Sequence, residues 1–171
     1  MISNELLQAI LKGRLLSPWG IHGLSHWARV LENGRRLAAA NGAIPEIVEL
    51  FAVLHDARRE NDAIDPGHGR RGAGLAASLR GSLIRLSDPD FDVLYHACAY
   101  HTDGSIDSNV TVCTCWDADR LDLFRVGIYP DPAHLATNAG CDPDVIRWAV
   151  ARSIDPATPQ LVAQEWGLTP D

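Results

Sequence analysis

The pair His55-Asp56 closes an apolar run over residues 47–54. Side chains adjacent on a helix point about 100° apart, so neighbours rarely grip one ion from mid-helix. At a released last turn they can converge. A His and an Asp leaving a buried helix end together therefore read as half of a metal site. Partners for the other half stand at His26 upstream and at Asp117 and Asp119 downstream. Six of the seven histidines fall within the first 101 residues. His22 and His26 share a face if their helix starts early enough. His68 opens a later helix, His96 and His101 do not share a face cleanly, and His134 stands alone in a Pro-rich segment. The stretch Asp117-Ala118-Asp119-Arg120-Leu121-Asp122 cannot point all three carboxylates inward from one helix. Trp116 and Leu123 mark the apolar side, with Asp119 at its edge. A carboxylate buried there needs a partner, and a cation is the natural one. Each residue alone has a plain structural reading: a packed histidine, Asp56 capping the next turn, Asp117 and Asp122 paired with Arg120 or Arg125 on a solvated face. The combination is what points to a metal.

Helices have to position these residues. Leu6, Leu7, Ile10, Leu11 and Leu15 recur at helical spacing after Ser3 or Asn4 as N-cap, and Ser17-Pro18-Trp19-Gly20 breaks the pattern. A second helix is predicted over 24–40, with Trp27, Val30, Leu31 and Leu37 on one face. Asn41-Gly42 ends it with a left-handed cap. Pro45 suits the first turn of a third helix that runs to His55-Asp56. Residues 61–67 read as a loop, and 68–79 as a small, Ala/Gly-rich helix able to pack closely. Asp88-Pro89 opens a fifth helix through Phe91, Leu94, Tyr95 and Cys98 to about His101, followed by a loop over 102–108. Residues 110–124 carry the acidic cluster. Their β-branched start, Val110-Thr111-Val112-Cys113, also suits a short strand, but the apolar positions continue into Trp116, Leu121 and Leu123, which favours helix. Asp142-Pro143 and Thr158-Pro159 cap two late helices, and Gly167 stops the last. The expectation is one all-α domain over residues 1–171. The loops after His55-Asp56 and His101 would meet at one end of a bundle, where inward His and carboxylates can hold metal.

Composition narrows the function classes. With 171 residues, of which 46% are hydrophobic, the chain can bury a substantial core. Fifteen Lys and Arg against 22 Asp and Glu leave a net charge of -7, which argues against a nucleic acid polymer as partner. A small phosphorylated substrate stays open, because a divalent cation supplies positive charge locally. No signal peptide or membrane-spanning stretch is visible, so a cytoplasmic location is expected. Cys98, Cys113, Cys115 and Cys141 form no CxxC pair and read as small hydrophobes in a reducing compartment rather than zinc ligands.

The ordered set His26, His55-Asp56, Asp119 closely resembles the HD-domain superfamily of metal-dependent phosphohydrolases. His26-Trp27-Ala28-Arg29-Val30 is similar to the first His with its Arg-Val. Ala52-Val53-Leu54-His55-Asp56 is similar to the core helix ending in the doublet, and Asp117-Ala118-Asp119-Arg120-Leu121-Asp122 to the last element. The resemblance covers about residues 20–125. It implies an HD-like helical bundle holding a divalent ion (Mn, Fe, Zn, Co or Ni) through His26, His55, Asp56 and Asp119. The implied chemistry is hydrolysis of a phosphoester or phosphoanhydride. His68-Gly69-Arg70-Arg71-Gly72-Ala73 and Tyr100-His101-Thr102-Asp103-Gly104 resemble segments of binuclear members, including those that cleave diadenosine tetraphosphate. On that reading His68 and His101 join a bridging Asp56 around a second ion; otherwise they line the pocket or contact substrate. Asp56 bridges ions or orients the nucleophile, and is the residue assigned to catalysis.

The departures from family patterns also inform. Gly104-Ser105-Ile106 stands where cyclic-di-GMP phosphodiesterases of this superfamily carry Gly-Tyr-Pro, which argues against that activity. Arg59-Glu60 replaces, in shifted register, the Glu-Asp pair of ppGpp hydrolases. Small HD nucleotide pyrophosphatases share the Asp-Ala-Asp-Arg-Leu-Asp run. Arg59, Arg70 and Arg71, with Arg58, offer forks for phosphate oxygens. Glu60, Asn61, Asp62 and Asp65 could orient water or bind a ribose. The expected activity is hydrolysis of a small phosphorylated molecule of the nucleotide class. Two readings compete: a binuclear-iron HD-type oxygenase, and a catalytically silent metal- or ligand-binding module. Residues 126–171 would complete or cover the bundle.

Overall fold

The computed structural model describes residues 2–103 and 106–170, so Gly104 and Ser105 of the 102–108 loop lie outside the described residues. The described chain forms eight α-helices: α1 (Asn4–Leu11), α2 (Leu24–Asn41), α3 (Pro45–Leu54), α4 (His68–Leu79), α5 (Asp88–Tyr100), α6 (Val110–Arg120), α7 (Pro143–Ser153) and α8 (Gln160–Gln164). Two short 3-10 turns, Leu123–Val126 and Pro132–His134, join α6 to α7. Among the described residues there is no strand, and none of the helices is long and apolar enough to cross a membrane.

Local chemistry sets the helix ends. Ser3 accepts from the Leu6 amide at the start of α1, and Gly42, at φ 77°, closes α2 in the left-handed region. Ser87, rather than Asp88, caps α5; Asp88 and Pro89 occupy its first turn. The Asn109 side chain accepts from the Thr111 and Val112 amides, so the β-branched start of α6 is capped as helix. Asp142 caps α7 in the same way. Three further expectations fail. Pro159, not Thr158, is the N-cap of α8, with no side-chain bond to its amides. Helix α1 stops at Leu11, and Leu15, read as part of its apolar face, is 75% exposed. The helix expected to run to Phe124 breaks after Arg120 into a turn and a 3-10 segment.

Helices α2 and α3 pack against each other, α5 and α6 lie against them, and α7 and α8 return onto α2. Trp27, Leu31, Leu37, Ile47, Phe51, Leu54 and Trp116 are fully buried between them. Helix α4 lies along α5 and touches the end of α3. Its glycines permit that approach: a Cβ on Gly72 would fall on the backbone oxygens of Leu54 and His55, and one on Gly69 against Cys98 O and the His101 ring. Gly72→Ala is therefore expected to destabilise the protein by about 1–3 kcal/mol through forced repacking. Gly74→Ala, whose Cβ meets nothing, is expected to be neutral or to gain up to about 1 kcal/mol from helix propensity. Urea unfolding of the pair checks this; equal midpoints would refute the close-packing account.

Candidate metal centre

Helix α3 ends at Leu54; His55, still at helical φ and ψ with its N–H on Phe51 O, is the C-cap, and a turn runs through residues 55–58. That turn lets two consecutive side chains aim at one point. His26 comes from the first turn of α2, Asp119 from the last turn of α6, His68 from the first residue of α4, and His101 from the C-cap of α5. All six converge, at the end of the bundle where the 59–67 and 102–103 segments run.

Asp56 divides them into two sets. Its Oδ2 lies 3.6 Å from His26 Nε2 and 3.7 Å from His55 Nε2. Asp119 Oδ1 lies 3.4 Å from His26 Nε2 and 3.7 Å from His55 Nε2, and the two imidazole nitrogens are 3.1 Å apart. The other carboxylate oxygen, Oδ1, lies 3.1 Å from His68 Nε2 and 3.8 Å from His101 Nε2, which are 2.9 Å from each other. Ligands about 2.1 Å from one shared cation sit about 3.0–3.4 Å apart, so both sets are close to the spacing that one ion each requires.

The hydrogen bonds fix which ring nitrogen is offered. His55 Nδ1 faces Phe51 O, His68 Nδ1 faces Asp65 O and His101 Nδ1 faces Cys98 O; His26 Nδ1 faces Asp122 Oδ2 at 2.7 Å. Each Nδ1–H donates to its acceptor, and each Nε2 turns inward as an acceptor. Two pairs of ring acceptors thus face each other beside carboxylates. A shared cation satisfies such an arrangement, and among the described residues His26, His55 and Asp119, and likewise His55, Asp56 and His101, bring ligand atoms close enough together to hold a metal ion, with His55 common to both groups. The helical bundle and this cluster are compatible with an HD domain.

Asp122, whose plain structural reading on its own is an ion pair on a solvated face, is fully buried and lies behind His26. It also accepts from Arg29 Nε at 2.6 Å and Ser153 Oγ at 2.8 Å. Burial opposes its ionisation, but the bond from His26 and the Arg29 charge pull its pKa down to about 2. Asp117 is likewise buried, not solvated. It accepts from the Ala136 and Thr137 amides and the Thr137 hydroxyl, anchoring that loop away from the cluster, and burial raises its pKa. Asp119 is thus the carboxylate that α6 gives to the site. Burial also works against charge on Asp56 and Asp119, yet the surrounding imidazoles, His55 first, hold both below the ordinary carboxylate range.

Burial pushes the pKa values of His26 and His101 down to about 4, from an ordinary 6.5. Both rings are neutral in the fold and take a proton more readily once unfolded. Their contribution to stability is complete above about pH 6.5 and is lost as pH falls toward 4, up to about 3 kcal/mol each. The Asp122 contribution is complete above its unfolded value of 3.8 and is lost on going down to about 2. The metal-free protein should therefore lose urea resistance between pH 6.5 and 4; a flat profile there would contradict neutral burial.

A cleft of about 310 Å³ opens onto the cluster, with His22, Arg59, Asp62 and Arg125 among its walls. His22 is a residue the sequence left undecided. It precedes α2 rather than sharing its face, and its Nδ1 lies 2.9 Å from Asp56 Oδ2. Arg125 donates to Ile21 O and Asp122 O and reaches His22, while Arg14 ties His22 O to Asp56 O. Arg59 is buried, with its guanidinium held by Asn61 O and Ala63 O. Its Nη1 lies 3.5 Å from Asp56 Oδ1 and 3.3 and 3.2 Å from the two ring nitrogens of His68, which places it over the ring face.

The other expected substrate contacts lie elsewhere. Arg70 is exposed over Tyr100, and Arg71 is clamped by Asp65 in a separate groove beside Arg58 and Leu75. His96 pairs with Asp107, and His134 is exposed. All four cysteines are free. Comparison with protein-family models, curated proteins and solved structures finds no match to this chain.

Proposed function

We propose that this chain is an HD-type metal-dependent phosphohydrolase that acts on a small phosphorylated molecule of the nucleotide class. One observation carries the reading: the two oxygens of Asp56 serve two different ligand sets, Oδ2 toward His26 and His55 and Oδ1 toward His68 and His101. A carboxylate so placed can bridge two cations. Bound there, the ions would polarise a phosphoryl oxygen and lower the pKa of a water. The chain's own residues do the rest. Asp122 and three backbone carbonyls lock the imidazole tautomers. His22 and Arg125 offer N–H groups at the mouth for phosphoryl oxygens, and Arg59 supplies fixed positive charge beside the second set. The cleft is at the small end of the range of about 300–1,000 Å³ usual for ligand pockets, which suits a compact substrate.

The test is to purify the protein without chelator, measure its metal content, and assay phosphate release from a panel of nucleotides. The same ligands would serve a binuclear-iron oxygenase, so the assay is run anaerobically with Mn(II), where a hydrolase turns over and an oxygenase does not. Metal retained with no hydrolysis of any phosphoester would leave a silent binding module. A protein that binds no metal would sink the site assignment.

A further inference from the structure

The two ligand sets differ in charge. Around the first point stand two carboxylates, Asp56 and Asp119, with His26 and His55. Around the second stand His68 and His101, and among the described residues the carboxylate within 4 Å of these two rings is the far oxygen of the same Asp56. The second set thus has no carboxylate of its own. It also has a cation beside it: Arg59 Nη1 lies over the His68 ring and 3.5 Å from Asp56 Oδ1, and two backbone carbonyls hold it there. Affinity for a hard divalent ion rises with the number of charged ligands and falls with like charge nearby. Both factors disfavour the second position. The same position opens to the cleft, whose walls carry Arg59, Arg125 and His22 together with the carboxylates Asp62 and Asp119, so the two arginines are the fixed positive charges an entering anion meets there.

Building on the metal reading above, we propose that the two ions bind unequally: the first is resident, and the second is held only together with a phosphate-bearing anion, with Arg59 setting that condition. The anion supplies the negative charge that the second set lacks, and its remaining oxygens neutralise Arg59. Substrate then brings its own second ion, and the resting protein carries one.

The experiment counts ions rather than turnover. Protein depleted of metal is titrated with Mn(II), followed by calorimetry and by the spin-coupled signal that two adjacent Mn(II) ions give in electron paramagnetic resonance. Without phosphate, one ion per chain is expected and no coupled signal. With inorganic phosphate at millimolar concentration, a second ion should bind at least about tenfold more tightly and the coupled signal should appear. Arg59→Gln should tighten the second ion at least about tenfold without phosphate. Arg59→Lys, which keeps the charge, should preserve the phosphate requirement. Should either variant fail to fold, the wild-type phosphate series decides alone. Two ions of equal affinity without phosphate, or a second ion indifferent to phosphate, would overturn this proposal and leave the metal-enzyme reading standing. No binding of any ion would overturn both.

Discussion

Asp56→Asn is expected to strip the protein of most of its metal and to lower phosphate release by about a thousandfold or more, about 4 kcal/mol of barrier. The side chain keeps its size, so packing survives. What is lost is charge and symmetry. A carboxylate faces His26 and His55 with one oxygen and His68 and His101 with the other. An amide offers an oxygen to one set and N–H donors to the other, so whichever set meets the donors loses its shared ligand. Metal analysis and the nucleotide assay read the effect, and an unchanged far-ultraviolet circular dichroism spectrum separates lost chemistry from lost fold. A variant with full metal content and full turnover would mean that the reaction centre lies elsewhere.

The second large effect concerns stability. Asp122→Ala is expected to cost about 3–5 kcal/mol, because it leaves the buried Arg29 guanidinium uncompensated. In a chain of this size that lowers Tm by about 6–20 °C. The same substitution frees the His26 ring, whose Nδ1 hydrogen bond to Asp122 holds Nε2 toward Asp56 and Asp119. Loss of such a support typically weakens metal affinity by about 10–100-fold. Asp122→Asn keeps the shape and one acceptor, so it should fall between alanine and wild type in both measurements. Differential scanning calorimetry on metal-free and metal-loaded protein separates the two costs. Wild-type stability in the alanine variant would show that Arg29 finds another partner.

These two residues also show what the amino-acid order makes legible. His55-Asp56 stands out because an apolar run ends on two ligand types together, a local pattern. His26 is legible as a histidine upstream of the doublet, whereas the choice of Asp119 over Asp117 and the addition of His68 and His101 are what the resemblance of the motifs implies. The helices were readable for similar reasons, since Ser3, Pro45 and Gly42 act on their own neighbours. For Asp122 the sequence leaves a solvated ion pair open, because a buried and an exposed carboxylate look alike in a mixed acidic stretch. What distinguishes it is its approach to His26, 96 positions away. His22 was obscured in the same way: its role comes from a loop that Arg14 ties to the backbone of Asp56, and helical periodicity is silent there. The two arginines of α4 stay away from the cluster for different reasons. Arg70, two residues after His68, leaves the helix in another direction; Arg71, three residues after it, shares its side of the helix but is drawn to Asp65 and Arg58 O, so of the three only Arg59, just after the 55–58 turn, reaches the cluster.

The seating of α4 links occupancy to motion. This helix contributes one ligand, His68, as its first residue, and rests mainly on α5, meeting α3 where Gly72 removes the side chain between them. A helix held along one flank can lift by sub-global opening at less free energy than the whole bundle needs to unfold. Lifting α4 would withdraw His68 and leave His26, His55 and Asp119 together on α2, α3 and α6. An ion bound between His68, His101 and Asp56 would therefore act as a rivet across that seam. Amide hydrogen exchange in α4 would slow as the ion binds, so the backbone protection of a single helix becomes a gauge of how far the site is assembled.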